Sequence, residues 1–162
     1  MPQEFPTCAG LLSSVETIAP QFVSIRRSIH AHPELAFEER QTSDLVASTL
    51  EGLGYRVHRG LGTTGVVGQL TKGTGSKTIG IRADMDALPI QERTGLDYAS
   101  TLPGKMHACG HDGHTAILLC AARQLAQSVD FNGTLNLIFQ PAEENEGGAL
   151  RMVDEGLFDL FP

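Results

Sequence analysis

Met106-His107-Ala108-Cys109-Gly110-His111-Asp112-Gly113-His114 packs one thiol, three imidazoles and one carboxylate into nine residues, with Met106 the only bulky apolar side chain. Polar groups at that density are costly to take from water unless each finds a partner. A divalent cation is such a partner, and it deprotonates the thiol as it binds. Cys109 and His111 lie two apart, so in an extended segment both project to one side. Gly110 lets the backbone approach an ion closely, and Gly113 permits a tight turn. The composition then changes abruptly to Thr115-Ala116-Ile117-Leu118-Leu119-Cys120-Ala121-Ala122, which predicts a buried helix. The cluster therefore sits on a loop entering a helix. Unrelated histidines with a structural cysteine are the competing reading, and the crowding of donors argues against it.

A second constellation follows downstream. Leu135-Asn136-Leu137-Ile138-Phe139-Gln140, after Asn132-Gly133, reads as a buried strand that Pro141 ends. Glu143 and Glu144 come directly after it and point in different directions. One can ligate an ion while the other faces a substrate and handles protons, which are the two tasks a metal-assisted hydrolase must fill. A solvated acidic turn continuing through Glu146 is the alternative, and taken alone the pair favours it. Upstream, Thr78-Ile79-Gly80-Ile81-Arg82 is a strand pattern running into Asp84 and Asp86, with Pro89 fixing the next turn. A carboxylate there could orient a ligating imidazole or bind the ion itself; a turn or capping aspartate is equally consistent.

The rest of the chain alternates helices and strands. Val15, Ile18, Phe22, Ile25 and Ile29 recur at helical spacing, predicting an amphipathic helix from Ser14 to about His30 whose stripe is core. His30 and His32 are read as capping its last carbonyls rather than as ligands. A second helix is expected from about Glu38 to Leu53, stopped by Gly54. Short strands are expected at Tyr55 to Arg59 and Gly65 to Leu70, with a flexible turn from Thr71 to Lys77. The irregular stretch from Leu88 to Lys105 is long enough to line a site, and another helix begins near Gly147. No internal repeat or phosphate-binding glycine motif is present.

Composition bounds the function further. A length of 162 residues with 41% hydrophobic content suits one domain with a sizeable core. The net charge of −7 excludes a phosphate-neutralising surface, so no nucleic-acid partner is expected. Three cysteines form no disulfide framework and suit a reducing, cytoplasmic setting. The first Lys or Arg is Arg26, which argues against a secretory signal, and no apolar run approaches the ~20 residues of a membrane span.

Four segments together carry a resemblance. Arg26-Arg27-Ser28-Ile29-His30-Ala31-His32-Pro33-Glu34-Leu35-Ala36-Phe37-Glu38-Glu39, Arg82-Ala83-Asp84-Met85-Asp86-Ala87-Leu88-Pro89-Ile90, His107 to His114, and Phe139-Gln140-Pro141-Ala142-Glu143-Glu144 stand in order. In them the chain resembles the metal-dependent N-acyl-amino-acid amidohydrolases: hippurate hydrolase, bacterial aminoacylases and plant indole-acetyl-amino-acid hydrolases. The resemblance implies an α/β three-layer sandwich with a mixed sheet of the zinc-peptidase type. It implies Cys109, His111 and Glu144 as metal ligands, Glu143 as general base and Asp86 as auxiliary carboxylate, with Asp84 a neighbour. The His-Pro-Glu segment is assigned to architecture.

It also implies two divalent ions per complete site, drawn from manganese, zinc, nickel or cobalt, a small N-acyl-amino-acid substrate, and a homodimer of the full-length relative. Members of that family are longer, with two further histidine ligands and a lid and dimerisation domain, whereas all six histidines here lie at or before His114. Residues 1–162 are therefore expected to form the N-terminal part of the catalytic domain, a fragment hydrolysing amides of N-acyl-amino acids or small peptides. Two other readings stay open: an inactive fragment that binds metal weakly and exposes sheet edges, and a weaker one, a thiol redox sensor at Cys109.

Overall fold

The apolar run ending at Gln140 becomes an inner strand of a four-stranded sheet. The computed structural model describes residues 7–144 and 146–162, apart from the side chain of Cys8. β1 (Arg56–Leu61), β2 (Gly65–Lys72), β3 (Thr78–Asp84) and β4 (Gly133–Gln140) are ordered β1-β2-β4-β3. β2 lies antiparallel to β1 and β4, while β3 and β4 are parallel, so the sheet is mixed as expected. Strand periodicity divides β4 between two faces. Leu135, Leu137 and Phe139 meet one core, and Ile138 meets the other.

Three helices cover the first face: α1 (Cys8–Ala31), α2 (Arg40–Gly52) and α3 (His111–Gln127). They supply Phe22 from α1, Val46 and Leu50 from α2, and Leu118, Leu119 and Ala122 from α3. Packing there is close: a Cβ on Gly68 would lie 2.8 Å from Leu50 Cδ1, so only glycine lets α2 approach β2. The opposite face carries the short helices α4 (Gly148–Asp154) and α5 (Leu157–Leu160), whose Met152 and Leu157 pack on Leu61, Val67 and Ile138. The three expected layers are present, one of them thin. β3 is the outer strand beside β4, with Ile79 60% and Ile81 37% exposed.

Several boundaries moved for identifiable reasons. α1 starts at Cys8, ahead of the expected Ser14, because Thr7 Oγ1 accepts the Gly10 N–H at 3.2 Å and caps it. β2 runs to Lys72, into the expected flexible turn. There Lys72 Nζ donates to the carbonyls of Leu125, Ala126 and Val129 near the end of α3. β3 extends to Asp84, paired with Gln140.

Residues 88–105 have no helix or strand, as expected, yet they are tied down. Leu88 and Met106 exchange both backbone hydrogen bonds, at 2.9 and 3.0 Å. Thr101 donates to Ala31 O through its N–H and its hydroxyl. Among the described residues no helix is long and apolar enough to cross a membrane. Cys109 and Cys120 are free thiols; the Cys8 side chain lies outside the described residues.

Candidate metal centre

Parallel pairing of β3 and β4 brings their C-terminal ends to one edge of the sheet, where open α/β sheets place their ligands. Asp84 ends β3, Asp86 follows it, and Glu143 and Glu144 follow β4. The N-terminus of α3 arrives at the same edge. Gly110 caps that helix in a left-handed conformation, φ 86°, and His111 is its first residue. The expectation that Cys109 and His111 converge through an extended segment is thus corrected: a left-handed glycine turn brings them together. Gly113 makes no loop turn either, because it lies inside α3.

Ligand atoms of Cys109, His111 and Glu144 lie within 4.8 Å of one another. A second group, Asp84, His111 and His114, meets the same limit and shares His111. His111 is buried, and its Nδ1 faces only acceptors: the Asp86 carbonyl at 2.9 Å and the Asp86 carboxylate at 3.2 Å. Nδ1 must therefore carry the proton, which leaves Nε2 for a ligand. Burial lowers the His111 pKa, but the hydrogen bond to Asp86 and the charges of Asp84 and Asp86 outweigh it and raise the net value. Glu143 Oε2 lies 3.8 Å from His111 Nε2 and Asp84 Oδ1 lies 3.7 Å from it. Sulfur, imidazole and carboxylate in one cluster suit a borderline divalent cation.

Asp86 reaches further. Its Oδ1 accepts the Glu143 N–H at 3.0 Å and its Oδ2 the Glu144 N–H at 3.1 Å. Burial works against its ionisation, yet the hydrogen bonds from His111, Glu143 and Glu144 prevail and hold its pKa below the ordinary value. The preceding N–H, of Ala142, goes to Glu39 Oε1 at 2.8 Å. Ala142 has φ 50°, a left-handed conformation unusual for a residue with a Cβ. Cys109 is exposed, yet hydrogen bonding with Glu144, desolvation and the charges of Glu144, Glu143 and Asp84 push its pKa up to about 11.

Neighbouring groups are equally ordered. His114 Nδ1 is 2.6 Å from Asp84 Oδ1, and Arg82 Nη1 is 3.0 Å from Asp84 Oδ2. His32 caps the end of α1 through Ser28 O at 2.9 Å, as read from the sequence. His30 does not. It is buried between Asp112 Oδ2, at 2.8 Å, and Glu92 Oε1, at 3.2 Å, because α1 packs its last turn onto the start of α3. His107 is buried beside this network, and desolvation drives its pKa down to about 4. The His-Pro-Glu segment is architectural in this geometry: Glu34 accepts the Gln41 and Thr42 N–H groups at the start of α2, and its carbonyl accepts the Ala87 N–H.

Sequence reading singled out Asp86, Cys109, His111, Glu143 and Glu144, and all five meet at this edge. Glu39 was missed as a site neighbour. The available signal was only a carboxylate just ahead of a helix, and its partners, Thr64 and Ala142, lie far off in sequence.

Known proteins place this arrangement. Hippurate hydrolase of Campylobacter jejuni is 54% identical over 152 residues, covering 94% of this chain and 39% of the relative. An IAA-amino acid hydrolase of Arabidopsis thaliana is 45% identical over 150 residues, covering 91% of this chain and 34% of the relative. The solved structure of YXEP from Bacillus subtilis, described as a dinuclear metal binding peptidase from the M20 family, superposes with a TM-score of 0.84. It is 39% identical, and the match covers 89% of this chain and 41% of that one. The chain thus spans well under half the length of these relatives. Residues 80–161, from within β3 through the donor cluster to α5, match the profile of peptidase family M20/M25/M40, and with that strand end, glycine turn and acidic pair in place the chain belongs to this family.

Proposed function

We propose that residues 1–162 form the N-terminal part of the catalytic domain of a metal-dependent amidohydrolase that cleaves N-acyl-amino acids or small peptides. The observation that carries this reading is the convergence of Cys109, His111 and Glu144 within 4.8 Å, beside a second carboxylate, Glu143. Relatives named for hippurate and for IAA-amino acids support a substrate in which an acyl group is joined to an amino acid. The named dinuclear relative supports two ions per complete site, drawn from manganese, zinc, nickel or cobalt. The net charge of −7 and the free Cys109 and Cys120 thiols support a cytoplasmic protein without nucleic-acid or membrane partners, and a homodimer is proposed for the full-length relative alone.

When bound, a divalent cation would polarise the scissile carbonyl and acidify the attacking water. The remaining work falls to side chains of this protein. Cys109 Sγ, His111 Nε2 and a Glu144 oxygen would hold the ion. Asp86 keeps the His111 proton on Nδ1. Glu143, half-exposed at the rim, accepts the proton of the attacking water on its carboxylate and returns it to the departing nitrogen.

Calorimetric titration of the purified chain with cobalt(II) tests the site. Binding that Cys109→Ser and His111→Ala each weaken by about tenfold or more is expected, as for loss of a ligand. Equal affinity in all three proteins would remove the assignment. An assay on an N-acyl amino acid then separates an active chain from one that binds an ion without turnover.

A further inference from the structure

Glu39 is fully buried, with 0% exposure, at the position where α2 begins. A carboxylate just ahead of a helix ordinarily caps that helix. Here it does not: Glu39 makes no side-chain cap, and Glu34 takes the Gln41 and Thr42 N–H groups instead, each at 2.9 Å. Burying a carboxylate without local employment is costly. Its two oxygens are spent elsewhere: Oε2 accepts the Thr64 hydroxyl at 2.6 Å, and Oε1 accepts the Ala142 N–H at 2.8 Å.

Ala142 stands directly before the acidic pair, in the left-handed region at φ 50°, and its carbonyl accepts the Gly148 N–H at 3.0 Å. The N–H groups of residues 142, 143 and 144 are therefore caught in succession by two buried carboxylates, Glu39 and then Asp86. Asp86 alone leaves the first of the three free. Without a fixed acceptor, Ala142 has every steric reason to leave the left-handed region, and the direction of Glu143 and Glu144 would change with it.

We infer that Glu39 is a positioning residue for the metal centre: by holding Ala142 in its left-handed turn, it aims Glu143 and Glu144 at Cys109 and His111. The inference rests on the metal-centre reading proposed above. It places no group of Glu39 on substrate or ion. The residue acts through the backbone, from a different layer of the fold, and the left-handed alanine is what makes its pull necessary.

The test uses the 162-residue chain and cobalt(II) alone, reading affinity by titration and the thiolate-to-cobalt charge-transfer band by absorption. Glu39→Ala is expected to bind about tenfold more weakly with an altered band, whereas Glu39→Gln, whose amide oxygen still accepts from Ala142, stays within about threefold of the parent. Glu39→Ala with Ala142→Gly is expected to recover most of the affinity and the parental band, since glycine takes the left-handed conformation unaided. Parental binding by Glu39→Ala would overturn the inference, and so would failure of Ala142→Gly to restore it, which is the outcome of a merely structural role. If Glu39→Ala does not fold, Thr64→Val, with and without Ala142→Gly, gives the same comparison: weakening that glycine reverses supports the inference, and unchanged binding overturns it. A parent chain with no charge-transfer band defeats the metal centre itself, and the role of Glu39 falls with it; a parent band with an unaffected Glu39→Ala defeats only the role of Glu39.

Discussion

His111 Nδ1 donates to Asp86 twice, to its backbone carbonyl at 2.9 Å and to its carboxylate at 3.2 Å, so one residue sets the tautomer of the imidazole. Asp86→Asn would keep the shape and lose the function of that carboxylate. One of its positions becomes an NH2 group facing the N–H of Glu143 or Glu144, two donors opposed in a buried place. A loss of about 1–3 kcal/mol in urea unfolding at neutral pH is expected, together with cobalt(II) binding weakened by about 10–100-fold.

The same residue sets an acid limit. Its pKa is held below the ordinary 3.8 by hydrogen bonds that outweigh the opposing effect of burial. A depressed carboxyl contributes stability that is fully present above the unfolded value and is lost as pH falls through the folded one. Resistance of the parent chain to urea should therefore fall as pH drops below 3.8, and Asp86→Asn should show a shallower dependence there. Parallel curves for the two proteins would contradict this.

Cys109 should be slow to alkylate despite its exposure. Hydrogen bonding with the neighbouring Glu144 carboxylate is the first of the causes that push its thiol up to about 11, so almost none is thiolate at pH 7. Iodoacetamide labelling of the metal-free chain, followed by mass spectrometry of the peptide carrying Cys109, should show a rate rising with pH toward that midpoint. Glu144→Gln removes the first and largest cause, and its midpoint should fall toward the ordinary 9.0. A parent midpoint already near 9 would be inconsistent with the thiol–carboxylate contact.

Much of the fold was legible because its signals are local. The short apolar run at Leu135 to Phe139, interrupted only by Asn136, reads as a buried strand, and β4 is one. The stripe of Phe22, Ile25 and Ile29 marks the buried side of α1. The site was legible through residue types crowded within short segments. What could not be read depends on chain separation. His30 lies 82 residues from Asp112, and Glu39 lies 103 residues from Ala142. Neither partner changes the local pattern, so His30 read as a cap and Glu39 as background. The left-handed turn at Gly110 was equally hidden, since alternation alone suggests an extended Cys109–His111 segment.

Gly68→Ala tests the closeness of α2 and β2. The added Cβ meets Leu50 Cδ1 at 2.8 Å, so a cost of about 1–3 kcal/mol from overpacking is expected. Leu50→Ala alone should cost about 2–5 kcal/mol through the cavity it leaves. Because the new methyl enters the space that Leu50 vacates, the double variant should cost less than the sum of the two. Additive values in urea unfolding would mean that the two sites do not share that space.

Glu143→Gln, made in a longer protein that contains this chain, should bind cobalt(II) like its parent and lose amide hydrolysis by at least ~100-fold, the low end of the effect of a general base. Parental turnover in this variant would remove Glu143 from the proton path.

Residues 88–105 carry a consequence for handling the protein. They have no regular secondary structure, yet Leu88 is paired to Met106, Thr101 is bonded to the end of α1, and Glu92 accepts from the Ser100 N–H while touching His30. Trypsin needs a strand it can draw out into its cleft, and a stretch pinned at three places does not yield one. Arg93 and Lys105 should survive limited digestion of the native chain, and their first cleavage would report that α1 has come away from α3.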